Sequence, residues 1–204
     1  MEAINNGRMT AAEVEEQIRQ VIAGCLRVEQ SQVTPESYLD TDLGGDSLDM
    51  VEIAMDIESK FNVWLPEKNI LQTAEEVFGP GVLEKDGFLT PAGKQLLARR
   101  AAPIEIRELE GEVAVKDLKR YFMRVGTWTH MVYGLLQSTP TACPACGGEL
   151  ASAMGFRLKC RSCNQEIKLR SGDELNREWV KKYYEEEHLP ALQQKQASST
   201  LTAA

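Results

Sequence analysis

Apolar side chains recur at Val14, Ile18, Val21, Ile22 and Leu26, the three- and four-residue spacing of a helix with one buried face. Thr10, three residues before Glu13, completes a capping-box signature, so a first helix is predicted from roughly Ala11 to Arg27. Cys25 falls inside it and reads as a small buried apolar residue. Gln30 to Gly45, with Pro35 and the Gly44-Gly45 pair, reads as a long loop. A second helix starts at Asp46 or Ser47 and ends near Phe61, with Ile53, Ala54, Ile57 and Phe61 on its core face. Leu48, Val51 and Met55 form a neighbouring apolar strip, flanked by Asp49, Glu52, Asp56 and Glu58.

Beyond Pro66 the pattern is less regular. Glu67 to Thr73 is a short helical stretch, Gly79-Pro80-Gly81 and Asp86-Gly87 are turns, and Pro91 to Arg100 is a short helix closed by Pro103. Val113 to Val125 predicts an amphipathic helix with Val115, Leu118, Tyr121, Phe122 and Val125 on one side, continued or kinked through Thr127 to Leu136. Short strands are expected around Phe156 to Leu158 and Ile167 to Leu169, then a final helix from Asp173 to His188 carrying Trp179, Tyr183 and Tyr184. The polar tail, residues 191–204, is expected to be disordered. The fold class is mainly α.

Composition sharpens this picture. With 204 residues and 43% hydrophobic side chains the chain can build a core in one domain or two small ones. Between Glu13 and Lys60 there are 12 carboxylates and 3 basic side chains, enough to account for the whole net charge of −8. An acidic module of this kind argues against nucleic acid as a partner, because phosphate contacts need clustered Lys and Arg. No run of about 18 apolar residues predicts a membrane span. The stretch MEAINNGRMT lacks a basic segment followed by an apolar one, so a cytoplasmic location is expected.

Ser47 stands where the second helix begins. A helix N-terminus offers unpaired N–H groups and the positive end of the macrodipole, so a phosphate borne by a serine there is favoured. The local pattern is equally that of a plain N-cap serine. The longer segment DLGGDSLDMVEIAMDIESKFNVWLPE resembles the phosphopantetheine-attachment segment of acyl carrier proteins: the D-S-L core, the following D-x-V-E, then F and a later P. The first helix and the loop VTPESYLDTDLGGDSL match as well. The resemblance implies a four-helix bundle in which Ser47 receives 4′-phosphopantetheine from CoA through a phosphopantetheinyl transferase. The arm's thiol would carry acyl groups as thioesters to loading and processing enzymes. Asp46 and Leu48 would flank the attachment site. Asp49, Val51, Glu52, Met55 and Asp56 would face the partners. The acidic continuation DMVEIAMDIE is similar to acyl rather than peptidyl or aminoacyl carriers. VAVKDLKRYFMRV from Val113 resembles the family's last helix, with Tyr121 and Phe122 as its aromatic core positions, although Pro91 to Arg100 is an alternative for that role. With 46 residues between Pro66 and Val113, a helical insertion is expected at about 72–112.

Four of the five cysteines form two C-x-x-C pairs, Cys143/Cys146 and Cys160/Cys163, separated by 13 residues. Two such knuckles offer four sulfurs in tetrahedral arrangement, and the spacing resembles a zinc ribbon. Gly147 and Asn164 suit the positive-φ turns that close the knuckles. A closed four-sulfur shell implies structural Zn2+, with rubredoxin-like iron as the rival. His130 and His188 are isolated, and no nucleophile–base pair or phosphate loop is present, so no enzyme activity is expected. The whole reads as an acyl-carrier-like domain over 8–136, a zinc ribbon with a C-terminal helix over 140–190, and the tail. The expected function is a thioester carrier for a specialised fatty-acid or polyketide-type pathway, with the ribbon docking partners. A zinc-ribbon adaptor using the bundle as a mere scaffold, and an aminoacyl or peptidyl carrier, are the competing readings.

Overall fold

The computed structural model describes residues 9–100, 104 and 106–187; His188 and the expected disordered tail lie outside them. Helix α1, Ala11–Leu26, opens on the predicted capping box between Thr10 and Glu13 and closes on Arg27 at φ 54°. Helix α2, Ser47–Phe61, closes on Asn62 at φ 46°. The helix expected across Val113 to Val125 is not continuous. A 3-10 turn, Val115–Leu118, runs into a one-turn helix α5, Lys119–Phe122, and a separate helix α6, Val125–Gln137, follows. Arg124 between them is extended, at φ −78° and ψ 132°.

The cause of that break is tertiary. The loop before α2 crosses here: Leu39 N donates to the Met123 carbonyl at 2.9 Å and Val125 N donates to the Ser37 carbonyl at 3.0 Å. The free carbonyls at the end of α5 are taken by side chains of α6, Thr127 Oγ1 to Tyr121 O at 2.7 Å and Trp128 Nε1 to Phe122 O at 2.9 Å. Both ends are thereby satisfied and the helix has no reason to run through.

Helix α6, and neither the Val113 segment nor Pro91 to Arg100, closes the N-terminal bundle. Val125, Val132, Leu135 and Leu136 join Val14, Ile18, Ile22, Ile53, Ile57 and Phe61 in one buried cluster. Tyr121 is buried in a second cluster, and its hydroxyl donates to the Glu108 carbonyl at 3.1 Å, so the aromatic pair does not supply the bundle core. The second cluster also holds Ile70 and Ala74 of helix α3, Ile70–Phe78, and Leu96 and Leu97 of helix α4, Pro91–Arg100. Helix α3 begins later than the predicted stretch because Asn69 caps it, its side chain accepting from Leu71 N and Gln72 N at 3.0 Å each. Between α3 and α4 a short hairpin pairs β1, Glu84–Lys85, with β2, Phe88–Leu89.

The Cys-rich segment forms an antiparallel meander of β3, Leu150–Ala153, β4, Arg157–Cys160, and β5, Glu166–Lys168. Strand β3 was not expected from the sequence. Helix α7, Gly172–Glu187, returns to the second cluster, where Val180 and Tyr183 are buried. The Trp179 and Tyr183 rings stack at 5.1 Å, with Arg100 over the Trp179 ring and Arg99 over the Tyr183 ring. This part of the aromatic face of α7 joins the C-terminal helix to the second core instead of being presented to solvent.

Candidate functional site

The mouth of α2 is built by two glycines and one aspartate. Gly44 takes φ +73°, and a Cβ on Gly45 would sit 2.8 Å from Met50 Cε and 2.9 Å from the Leu39 carbonyl oxygen. Glycine meets both at no steric cost, and at Gly45 the Leu39 carbonyl leaves no room for a side chain. Asp46, not Ser47, is the N-cap: its carboxylate accepts from Leu48 N at 2.7 Å and Asp49 N at 3.1 Å, while Asp49 returns a carboxylate to Asp46 N at 2.8 Å. The plain N-cap reading of Ser47 is thereby removed. Ser47 is the first residue of the helix and exposed, and among the described residues its hydroxyl has no hydrogen-bond partner. A free hydroxyl at a helix N-terminus is positioned to carry an anionic substituent.

The strip beside it is open. Leu48 is 76% exposed, Val51 57% and Met55 63%. Glu52 and Asp56 are exposed and Asp49 is partly so. The segment just after α2 holds the ribbon. Asn62 Nδ2 donates to the Arg157 carbonyl at 3.3 Å, the Trp64 and Phe156 rings stack at 5.2 Å, and Lys168 lies over Trp64 at 5.3 Å. Gly172 N closes the junction on the Trp64 carbonyl at 2.7 Å. Phe156 adopts φ 52°, an uncommon state for a bulky side chain. Its turn leaves Met154 94% exposed across a groove whose opposite wall includes Met55, Glu58 and Ser59. Neither this clamp nor the groove had a signal in the sequence, because they join segments about 90 residues apart.

Cys143, Cys146, Cys160 and Cys163 present sulfurs all within 4.8 Å of one another. The Cys143–Cys163 separation is 3.7 Å and the Cys146–Cys160 separation 3.5 Å. Those distances are far beyond the ~2.05 Å of a disulfide, and close to the ~3.8 Å edge of a tetrahedron with ~2.3 Å metal–sulfur bonds. Gly147 and Asn164 take φ 71° and φ 60°, as the knuckle turns require. The N–H of Cys163, at 3.5 Å, and that of Ser162, at 3.4 Å, point at Cys160 Sγ and hold that thiol down to about 6. Gly148 is packed so that a Cβ would lie 2.5 Å from Ser162 Oγ and 3.1 Å from Cys160 Sγ. The donor set fits a tetrahedral, thiophilic divalent ion with no position left open.

Cys25 belongs to neither site. Burial, then the hydrogen bond at 3.5 Å to Asp56, pushes its thiol up to about 11, which disfavours the reactive thiolate. Burial and Arg100 hold His130 below the usual histidine range, so it is neutral at pH 7. No helix among the described residues is long and apolar enough to cross a membrane.

A family model described as the phosphopantetheine attachment site matches residues 16–77. The acyl carrier protein of Helicobacter pylori (strain J99) is 44% identical over 70 residues, covering 34% of this chain and 85% of that protein. The acyl carrier protein of Chlorobium phaeobacteroides is 39% identical over 61 residues, covering 30% of this chain and 78% of that protein. No solved structure matches the chain.

Proposed function

The chain belongs to the acyl carrier protein family, and from that premise we propose that it carries thioester-bound intermediates on a 4′-phosphopantetheine arm at Ser47. The observation that carries this assignment is the free, exposed Ser47 hydroxyl on the first residue of a helix already capped by Asp46. When bound, the arm supplies a terminal thiol that forms and releases thioesters. The protein's own residues hold that arm and present it. Asp46 fixes the first turn of α2, the N–H groups there favour the phosphodiester, and Leu48, Val51 and Met55 with Asp49, Glu52 and Asp56 meet partner enzymes. Such a surface, with an apolar strip and an acidic surround, suits partners with a basic rim.

The ribbon and the part of the second core beyond the family match at residues 16–77 are additions to a minimal carrier, and they support a dedicated pathway of fatty-acid or polyketide type over general lipid synthesis. The ribbon holds structural Zn2+ through Cys143, Cys146, Cys160 and Cys163. Its β3–β4 turn, with Met154 beside Met55, extends the docking face of α2. The chain has no active site of its own in this reading, and its setting is the cytoplasm.

Incubation with CoA and a broad-specificity phosphopantetheinyl transferase tests the assignment. Intact mass spectrometry should find one arm per chain, with 3′,5′-ADP released as the Ser47 oxygen takes its place on phosphorus. No addition under conditions that load a control carrier sinks the proposal. Glu52→Lys should slow that loading several-fold, and rising salt should slow the wild type. An effect equal to that of Lys116→Glu, a charge reversal off α2, would remove α2 from the docking face.

A further inference from the structure

A cavity of about 450 Å3 lies between α3, the β1–β2 hairpin and the 115–123 segment. Leu71, Leu83, Leu89, Leu118, Phe122 and Met123 give it apolar walls. No residue of α1, α2 or α6 lines it, so it is separate from the core of the N-terminal bundle. The space is a half-open cleft, with the exposed side chains of Glu67, Gln72, Lys116 and Lys119 among its lining. A space of this volume is in the range of small-molecule sites. Its frame is held by backbone hydrogen bonds from Leu89 N to the Val113 carbonyl and from Val115 N to the Gly87 carbonyl, both 2.9 Å.

The cavity is tied to the modified end of α2. Met123 accepts from Leu39 N at 2.9 Å, and the Leu39 carbonyl accepts from Gly45 N at 2.8 Å. Two hydrogen-bonded backbone steps and two residues of chain place the Met123 Cα at most about 21 Å from that of Ser47. A phosphopantetheine arm, with two amide units between its phosphate and its cysteamine, is comparable to about five extended residues, or ~17 Å. The hydrocarbon beyond its thiol adds to that reach.

We propose that this cavity receives the acyl chain thioesterified to the arm on Ser47; the inference rests on Ser47 bearing that arm. The lining decides the ligand. Its walls are hydrocarbon, and its charged members are Glu67, Glu75 and Glu84 against Lys116 and Lys119. A net negative lining repels a free fatty carboxylate but not a thioester, which has no charge at the carbonyl carbon. The tether raises the local concentration of the chain to the millimolar range, so weak apolar contacts suffice. The second core then has a task in the carrier: it shields a cargo outside the helical bundle.

The test uses the full chain, loaded with a 13C-labelled octanoyl group from octanoyl-CoA and a broad-specificity transferase. Expected are NOEs from the acyl carbons to Leu71, Leu118 and Met123 methyls. Hydroxylamine should cleave the thioester several-fold more slowly than in octanoyl-pantetheine. Leu71→Trp, which fills the cavity, should lose those NOEs and the protection. If circular dichroism shows that this variant misfolds, the wild-type NOEs decide alone. NOEs to Ile53 or Ile57 methyls instead, or none at all, overturn the proposal. A wild-type chain that accepts no octanoyl arm faults the Ser47 assignment, a different failure.

Discussion

Ser47→Ala will accept no arm at all, while its helical circular dichroism and thermal midpoint stay those of the wild type. The two halves of that expectation have separate causes. Loss is complete because the hydroxyl oxygen is the atom that bonds phosphorus, and alanine has none. Stability is unchanged because Ser47 contributes no capping bond: Asp46 accepts from Leu48 N and Asp49 N, and Asp49 answers at Asp46 N. An exposed side chain without a partner changes stability by less than about 0.5 kcal/mol when replaced. Asp46→Ala is the informative contrast. It leaves the hydroxyl in place, removes the acceptor of two N–H groups, and should cost about 1 kcal/mol. Loading should slow without vanishing. Intact mass spectra and thermal melts of the two variants check this pair of outcomes. An arm found on Ser47→Ala would move the attachment site elsewhere and end the present reading of the helix mouth.

What the sequence made legible was local. The α1 capping box, the apolar spacing of α1 and α2, the Gly44-Gly45 turn and the two cysteine knuckles each depend on residues within a few positions of one another. Where the sequence misled, a contact between distant segments had the deciding effect. Val113 to Val125 has a good helical pattern, yet the loop from Ser37 to Leu39 takes hydrogen bonds at Met123 and Val125 and splits it. Tyr121 and Phe122 have the right spacing for a bundle core, but Tyr121 turns to Glu108 in the second core. The aromatic residues of α7 could equally have met a partner or packed inward. Burial of Tyr183 and the Arg99 and Arg100 contacts on the two rings settle that for Trp179 and Tyr183. At the attachment site the pattern could not separate an N-cap serine from a free one. The difference lies in one carboxylate, Asp46, reaching the N–H groups first.

Cys160→Ser will lose the metal and melt the ribbon, and the N-terminal bundle will still accept its arm. The ribbon's buried apolar residues are few: Leu150, Ala151, Leu158 and Leu169 beside Cys143 and Cys160. So small a core cannot order some thirty residues without the metal, and in small zinc domains the free energy of metal binding is folding free energy. Cys160 is the most damaging of the four to replace. It is fully buried, its sulfur gathers the N–H groups of Ser162 and Cys163, and β4 ends on it. Elemental analysis should find about one zinc per wild-type chain and little iron, falling to none in the variant. Cys25→Ser should keep the full zinc content, because that thiol belongs to another core. Unfolding should stop at the Trp64–Phe156 stack: on the carrier side Ile53, Ile57 and Phe61 are buried against α1 and α6, with no contribution from the ribbon. Hydrogen exchange resolved by segment reads this directly. Residues 143–170 should lose protection in Cys160→Ser while α1, α2 and α6 keep theirs. Loss of protection in α2 as well would make the ribbon part of the carrier's own folding unit. Iron with a reversible redox signal in protein from the native host would replace the structural zinc centre with an electron-transfer one.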